Sequence, residues 1–237
     1  MKKPQLRVTE KNIDSIFLTE ENSKKYGFEK FLLENGNQWR ILVDERRGVF
    51  SLIEGGAISL IPGVKSLVKW NNLKCQENEC IEVDKVEILA RDFMFLYPEL
   101  FPVKQDELLL DKEGSGPFGD SVYFLRFQWT PFGIPVENGS IYFRFNSGNL
   151  IQISTTNIGE INIYPYPSIS RETAYEIISS YIGGFQETDK FFENGNLIIV
   201  PVVPKGVEVE GYSGEFGKGI DYSLAYRFVF RRDGEKG

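Results

Sequence analysis

No stretch of the chain limits its fold as tightly as residues 122–155, VYFLRFQWTPFGIPVENGSIYFRFNSGNLIQIST. Val122, Phe124, Arg126 and Gln128 alternate with Tyr123, Leu125, Phe127 and Trp129. A period of two with bulky side chains on both faces predicts a strand in the interior of a sheet. Pro131, Gly133 and Pro135 then interrupt the pattern, because proline lacks the N–H a ladder needs and glycine admits a bend. Past this corner, residues 140–145 and 149–154 predict two more strands, joined across Asn146-Ser147-Gly148, whose residues tolerate positive φ. The unit is an antiparallel meander.

Helix signals flank it. Asp84 followed by Glu87 reads as a capping-box variant, and Val86, Leu89, Ala90, Phe93, Leu96 and Tyr97 recur at helical spacing before Pro98. A strand over residues 107–110 and an acidic, glycine-bearing loop over 111–120 follow. That loop lacks the D-x-[DN]-x-[DN]-G order of a calcium hand and is expected to be solvated. After the meander, Tyr164-Pro165-Tyr166-Pro167 predicts a rigid extended linker, since each proline biases its predecessor away from helix. Ser170 caps a second helix with Ala174, Ile177, Ile178, Tyr181 and Ile182 on one stripe, ended by Gly183-Gly184. Strands are predicted over 197–203 and 223–231, the latter setting Leu224, Tyr226, Phe228 and Phe230 against Ala225, Arg227, Val229 and Arg231.

Upstream the pattern is weaker. Residues 1–35 show no strong periodicity, but Trp39-Arg40-Ile41-Leu42-Val43 and Val49-Phe50-Ser51-Leu52-Ile53 flank a turn and predict a hairpin. Gly55-Gly56, Pro62-Gly63 and the segment around Cys75 and Cys80 then mark a loop-rich passage between an N-terminal piece and the rest.

The run Phe127-Gln128, Gly133-Ile134-Pro135-Val136, Gly139-Ser140-Ile141-Tyr142-Phe143 and the turn Asn146 to Gly148 resembles the pro-region module of secreted zinc metallopeptidases of the thermolysin and fungalysin type. In that family a strand ending near a glutamine meets a G-(I/V)-P-V corner, with a helix before and an S-x-x-x-A helix after. The hairpin resembles the W-x-V-x-x-D-x-x-T-G element of fungalysin-like pro-regions through Trp39, Asp44 and Gly48, with Arg47 where threonine is usual. Leu224-Ala225-Tyr226-Arg227-Phe228-Val229 resembles the last strand of the PepSY module. The likeness covers roughly residues 84–232. It implies an α+β chain of two cystatin-like or PepSY-like modules, each a helix packed on an antiparallel sheet: residues 1–82 an N-terminal segment with a hairpin over 39–53, 83–163 the propeptide-like module, and 164–237 the PepSY-like module.

The function it implies is that of an intramolecular chaperone and inhibitor of a zinc metalloprotease domain downstream in cis, non-catalytic and without a cofactor. Phe127, Gln128, Gly133, Ile134, Pro135 and Val136 are then expected to serve the fold. The expected contact surface lies around Tyr226, Phe228, Arg231 and Arg232, meeting an acidic cleft. Residues 231–234 read as a hairpin turn whose return strand is missing, so the polypeptide is expected to continue past Gly237. A stand-alone secreted or surface binding module with no protease attached is the alternative.

Composition narrows the classes independently. The 237 residues include no histidine, which excludes H-E-x-x-H zinc sites, Ser-His-Asp and Cys-His dyads and histidine acid-base catalysis within the chain. A net charge of -7 disfavours nucleic acid, whose non-specific binding rests on clustered Lys and Arg. An enzyme using carboxylates alone requires buried, clustered acids, and no spacing in the sequence fixes such a pair. No apolar run approaches the roughly 20 residues of a membrane-spanning helix, and residues 1–7 have no signal-peptide core, so the protein is either cytosolic or has had a signal peptide removed. Cys75 and Cys80 make a poor zinc site, leaving a local disulfide or two free thiols. The resemblance, by implying a secreted, cell-surface or periplasmic setting with its signal peptide removed, favours the disulfide, worth about 2 kcal/mol. Gly211, Gly214, Gly217 and Gly219 suggest a phosphate loop, but Gly217-Lys218-Gly219 has no following Ser or Thr, so a mobile hairpin loop is expected.

Overall fold

The computed structural model describes residues 15–16, 27–36, 38–59, 83–118, 122–146, 148–207 and 212–232. Cys75 and Cys80 lie outside them. The fold is α+β. In chain order the strands are β1 (Ser15–Ile16), β2 (Arg40–Asp44), β3 (Val49–Ser59), β4 (Leu108–Leu110), β5 (Gly116–Phe118), β6 (Val122–Trp129), β7 (Ser140–Asn146), β8 (Asn149–Thr156), β9 (Lys190–Val202) and β10 (Asp221–Arg231). The helices are α1 (Glu29–Asn35), α2 (Val83–Leu96) and α3 (Arg171–Tyr181). One antiparallel sheet runs in the order β1-β2-β3-β8-β7-β6-β4, with β5 extending the β4 edge of β6, and β9–β10 form a separate two-stranded sheet.

The meander forms as the alternation requires. Tyr123, Leu125, Phe127 and Trp129 are buried, while Phe124, Arg126 and Gln128 sit half-buried on the other face. Leu125 faces Phe143 and Phe127 faces Ile141 across the β6–β7 ladder. α1 and α2 cover this apolar face. Phe31 meets Trp39, Phe93 and Tyr97 edge-on, and Phe93 in turn meets Phe143, a geometry that adds to the area term of each buried ring. α2 begins at Val83, so Asp84 lies inside its first turn and is not the residue before it. Its stripe is Val86, Ala90, Phe93, Met94 and Tyr97; Leu96, expected on that stripe, is exposed. Arg91 ties α2 to the sheet edge by donating to Glu87 Oε1 at 2.9 Å, Gln105 O at 3.2 Å and Leu108 O at 3.1 Å.

The predicted hairpin is β2–β3, and it is built into this same sheet, because β3 pairs with β8 through Ile53↔Ile153. Gly55-Gly56 does not open a loop. Both lie within β3, where Gly55 takes φ 98° at a register shift in the β3–β8 ladder, and a Cβ on Gly56 would stand 2.2 Å from the Trp39 ring. Tryptophan needs the glycine's empty space. Arg47 is buried: it donates to Asp44 Oδ2 at 2.7 Å and reaches Thr155 O at 3.4 Å.

The C-terminal unit is α3 against the β9–β10 hairpin. Ser170 caps α3, its Oγ accepting from the Thr173 N–H at 3.1 Å. β9 starts at Lys190, well ahead of the expected residue 197, because two register shifts hide its first half from an alternation pattern. One of these lies at Gly195, φ 79°, against which Arg171 packs while donating to Asn194 O at 2.6 Å. Among the described residues this hairpin meets the main sheet and its turns at several places. Ile199 bridges the Gly133–Val136 corner through Ile199 N to Pro135 O at 2.9 Å and Glu137 N to Ile199 O at 2.7 Å. Tyr222 packs edge-on against Trp129, with ring centroids 6.0 Å apart. Gly217 N and Gly219 N donate to Glu45 O and Arg46 O of the β2–β3 turn at 2.8 and 2.9 Å. Residues 217–219 are therefore pinned backbone to backbone, not free as the glycine spacing suggested; a Cβ on Gly219 would stand 2.6 Å from Arg46.

Candidate functional site

The C-terminal unit leaves its apolar surface open. Although α3 carries the predicted apolar stripe, it buries no residue. Tyr175 alone reaches a compact ring cluster, stacking on Phe185 at 4.7 Å with Phe191, Phe228 and Phe230 around them. Ile177 and Tyr181, one and two turns along the stripe, are 58% and 87% exposed. β10 pairs only with β9 among the described residues, so its second edge has no ladder.

A groove of about 830 Å³ runs along that edge. Residues 222–228 line it consecutively, not alternately, so the edge of β10 enters the groove, together with the hairpin face that carries Leu197 opposite Tyr226. One wall is the linker, Ile163 to Ile169, and the other is α3 through Ala174, Ile177 and Ile178. The linker is held by Tyr226, whose hydroxyl donates to Ile169 O at 3.3 Å, and the rings of Tyr164 and Tyr166 lie 5.0 Å apart at the rim. An unpaired strand edge offers a row of N–H and C=O groups to an incoming chain, and apolar walls supply pockets for its side chains.

The charges beside the groove are matched internally. Arg227 makes a bidentate pair with Glu193 at 2.7 and 2.8 Å, and the Glu193 carboxylate raises the guanidinium pKa. Arg232 grips Asp189 with two bonds at 3.0 and 2.9 Å and donates to Gly184 O at 2.9 Å. Those bonds hold the Asp189 carboxyl below its ordinary range. Of the four residues expected to form a contact surface, Tyr226 and Phe228 line the groove, Arg231 stands exposed at the strand end opposite Lys190, and Arg232 closes the turn after α3. Tyr226 and Phe228 are thus brought together, and the two arginines are not. The linker rings and Ile177 were missed as groove residues; the signal was an aromatic side chain at every second position of a proline-stiffened segment, which cannot bury both rings against one helix.

The Gly133–Val136 corner is packed into the main core. Phe132 and Gly133 take φ 57° and 75°, the turn puts Val136 into the core, and Gln128 Nε2 donates to Val136 O at 2.8 Å. Phe127 is fully buried in the main core, and Ile134 packs partly buried against that core. Asn138 of the Asn-Gly-Ser sequence sits in a turn with φ 53°, and Ser140 is buried. Among the described residues no set of three or more His, Cys, Asp or Glu side chains is placed to hold a metal ion, and no helix is long and apolar enough to cross a membrane. No protein-family model, no curated protein and no solved structure matches this chain.

Proposed function

We propose that this chain is a non-catalytic, protein-binding pro-region, built of two cystatin-like or PepSY-like modules, that chaperones and inhibits a zinc metalloprotease domain carried downstream in cis. The observation that carries the reading is the open groove along β10. A two-stranded hairpin is marginal by itself and needs a further strand or a well-packed helix, yet here α3 covers it incompletely. A partner strand laid on β10 and capped by Ile177, Ile178 and the linker rings supplies the missing layer. An inhibitory interface of about 1,600 Å² takes in such a groove, and proteolysis of the released domain makes activation irreversible.

The test adds the whole chain in trans to a thermolysin-type zinc protease and follows hydrolysis of a peptide substrate. Inhibition is expected, weakened at least tenfold by Ile177→Asp, which leaves the fold intact because Ile177 is exposed. A folded wild-type chain that neither inhibits nor raises the refolding yield of the protease would sink the reading. The reading frame past Gly237 gives a second check: an H-E-x-x-H motif supports a pro-region, and its absence leaves a stand-alone binding module using the same groove.

A further inference from the structure

The face of the main sheet opposite α1 and α2 carries a different chemistry. Its central rows are Phe124–Arg144–Gln152 and Arg126–Tyr142–Ser154, each read across β6, β7 and β8. The result is a checkerboard in which each guanidinium lies over a ring: Arg126 is 5.3 Å from the Tyr142 centroid and Arg144 is 5.6 Å from that of Phe124. Between them a hollow of about 260 Å³ opens, lined by the two rings, Arg144, Gln152, Ser154 and Thr156, with no carboxylate in its wall.

Among the described residues the charges on this face are matched, apart from Arg144. Arg126 pairs with Asp111 at 3.2 Å, and Arg40 pairs with Glu54. Among the described residues no carboxylate stands within 4.0 Å of Arg144. Its only hydrogen bond to a described residue is a long one, Nη1 to Gln152 Oε1 at 3.4 Å, and its Nε–H is buried without an acceptor. A chain of net charge -7 thus holds, at the centre of its sheet, a cation with no counter-charge among the described residues. Stacking on a ring orients the guanidinium and leaves its edge to a carboxylate, which it binds with two parallel bonds where lysine offers a point charge.

We propose that this hollow is a carboxylate-recognition site, taking an Asp or Glu side chain from an acidic peptide segment of a partner protein on Arg144, with the flanking residues of that segment over Phe124 and Tyr142. The site is independent of the β10 groove.

The test measures fluorescence anisotropy of a fluorescein-labelled hexaglutamate titrated with the full chain at about 0.15 M salt, where exposed charges are screened beyond roughly 8 Å. The overall negative charge opposes this probe, so saturable binding reports a local site. Arg144→Gln is expected to weaken binding roughly tenfold. Arg144→Lys falls between, since it keeps the charge and loses the fork, and Arg40→Gln on the same face leaves binding unchanged. Hexalysine binding as tightly as hexaglutamate overturns the proposal, as does equal affinity in Arg144→Gln. Failure of the wild type to bind, together with a lower melting temperature in Arg144→Gln, also overturns it by assigning the arginine to the fold.

Discussion

The main sheet and the C-terminal hairpin are made of similar residues and are finished to different degrees. In the first, two helices close one face over Phe31, Phe50, Phe93, Phe127 and Phe143, all buried. In the second, the rings are as numerous but half-exposed; of the buried apolar side chains among the described residues, only Ile198, Ile199 and Tyr222 come from beyond residue 163, and two of those three are buried by the main sheet. The second unit therefore depends on the first for what core it has. An apolar groove beside an open strand edge is what remains when a layer is left incomplete.

The largest expected effect tests that contrast directly. Phe143→Ala removes a fully buried ring and should cost about 4 kcal/mol in urea unfolding, whereas Tyr181→Ala, on the exposed stripe of α3, should cost under about 0.5 kcal/mol. Comparable losses would mean that α3 is packed in solution and that the groove is closed.

The joint between the two regions comes next. Burial pushes the Asp44 carboxyl upward, but the Arg47 charge, the Arg47 hydrogen bond and Arg46 outweigh it and hold the pKa below its ordinary value. Asp44→Asn leaves the Arg47 guanidinium buried without its counter-charge and should cost about 3 kcal/mol. The double variant with Arg47→Met should recover part of that loss. Since the folded-state pKa is depressed, the contribution is complete above the unfolded carboxylate pKa and fades as pH falls through the folded one. The acid side of the stability curve should therefore be flatter in Asp44→Asn.

Tyr222 tests the same joint from the alkaline side. Its hydroxyl is buried beside Gly159, and desolvation, offset by Arg47 and reinforced by Asp44, lifts its pKa to about 12. The unfolded phenol titrates near 10. Its stabilising contribution is whole below pH 10 and is lost as pH rises from there through 12, amounting to roughly 2–3 kcal/mol at full titration. Tyr222→Phe should lose correspondingly less stability over that interval. Equal alkaline slopes would show that the hairpin detaches before the phenol ionises.

Local patterns were legible and long-range ones were not. The alternation in β6, the 3.6-residue stripe of α2, the Ser170 cap and the β2–β3 turn are each written within a short window, and each appears in the structure. The pairing of β3 with β8 joins residues about a hundred positions apart, and no window contains both. Glycine was the most misleading letter. Gly56 and Gly219 look like turn residues, yet both are places where another group comes too close for a Cβ. The carboxylate hollow was equally hidden, because Arg126 and Arg144 read as ordinary outward positions until the register set each against a ring.

The smallest expected effect sharpens the comparison most finely. Ser170→Ala removes the cap that satisfies the Thr173 N–H and should cost α3 roughly 1 kcal/mol. Where that loss appears depends on coupling. α3 touches the hairpin through Tyr175 and Arg171 and buries nothing, so its fraying need not unfold the main sheet. Amide exchange in Ser170→Ala should accelerate several-fold across α3 and the adjoining end of β9 while the β6–β7–β8 ladder keeps its rates. Acceleration of both by the same factor would show that the two regions open as one unit. The exposed stripe of α3 would then belong to a cooperative core, and the groove along β10 would not be free to admit another strand.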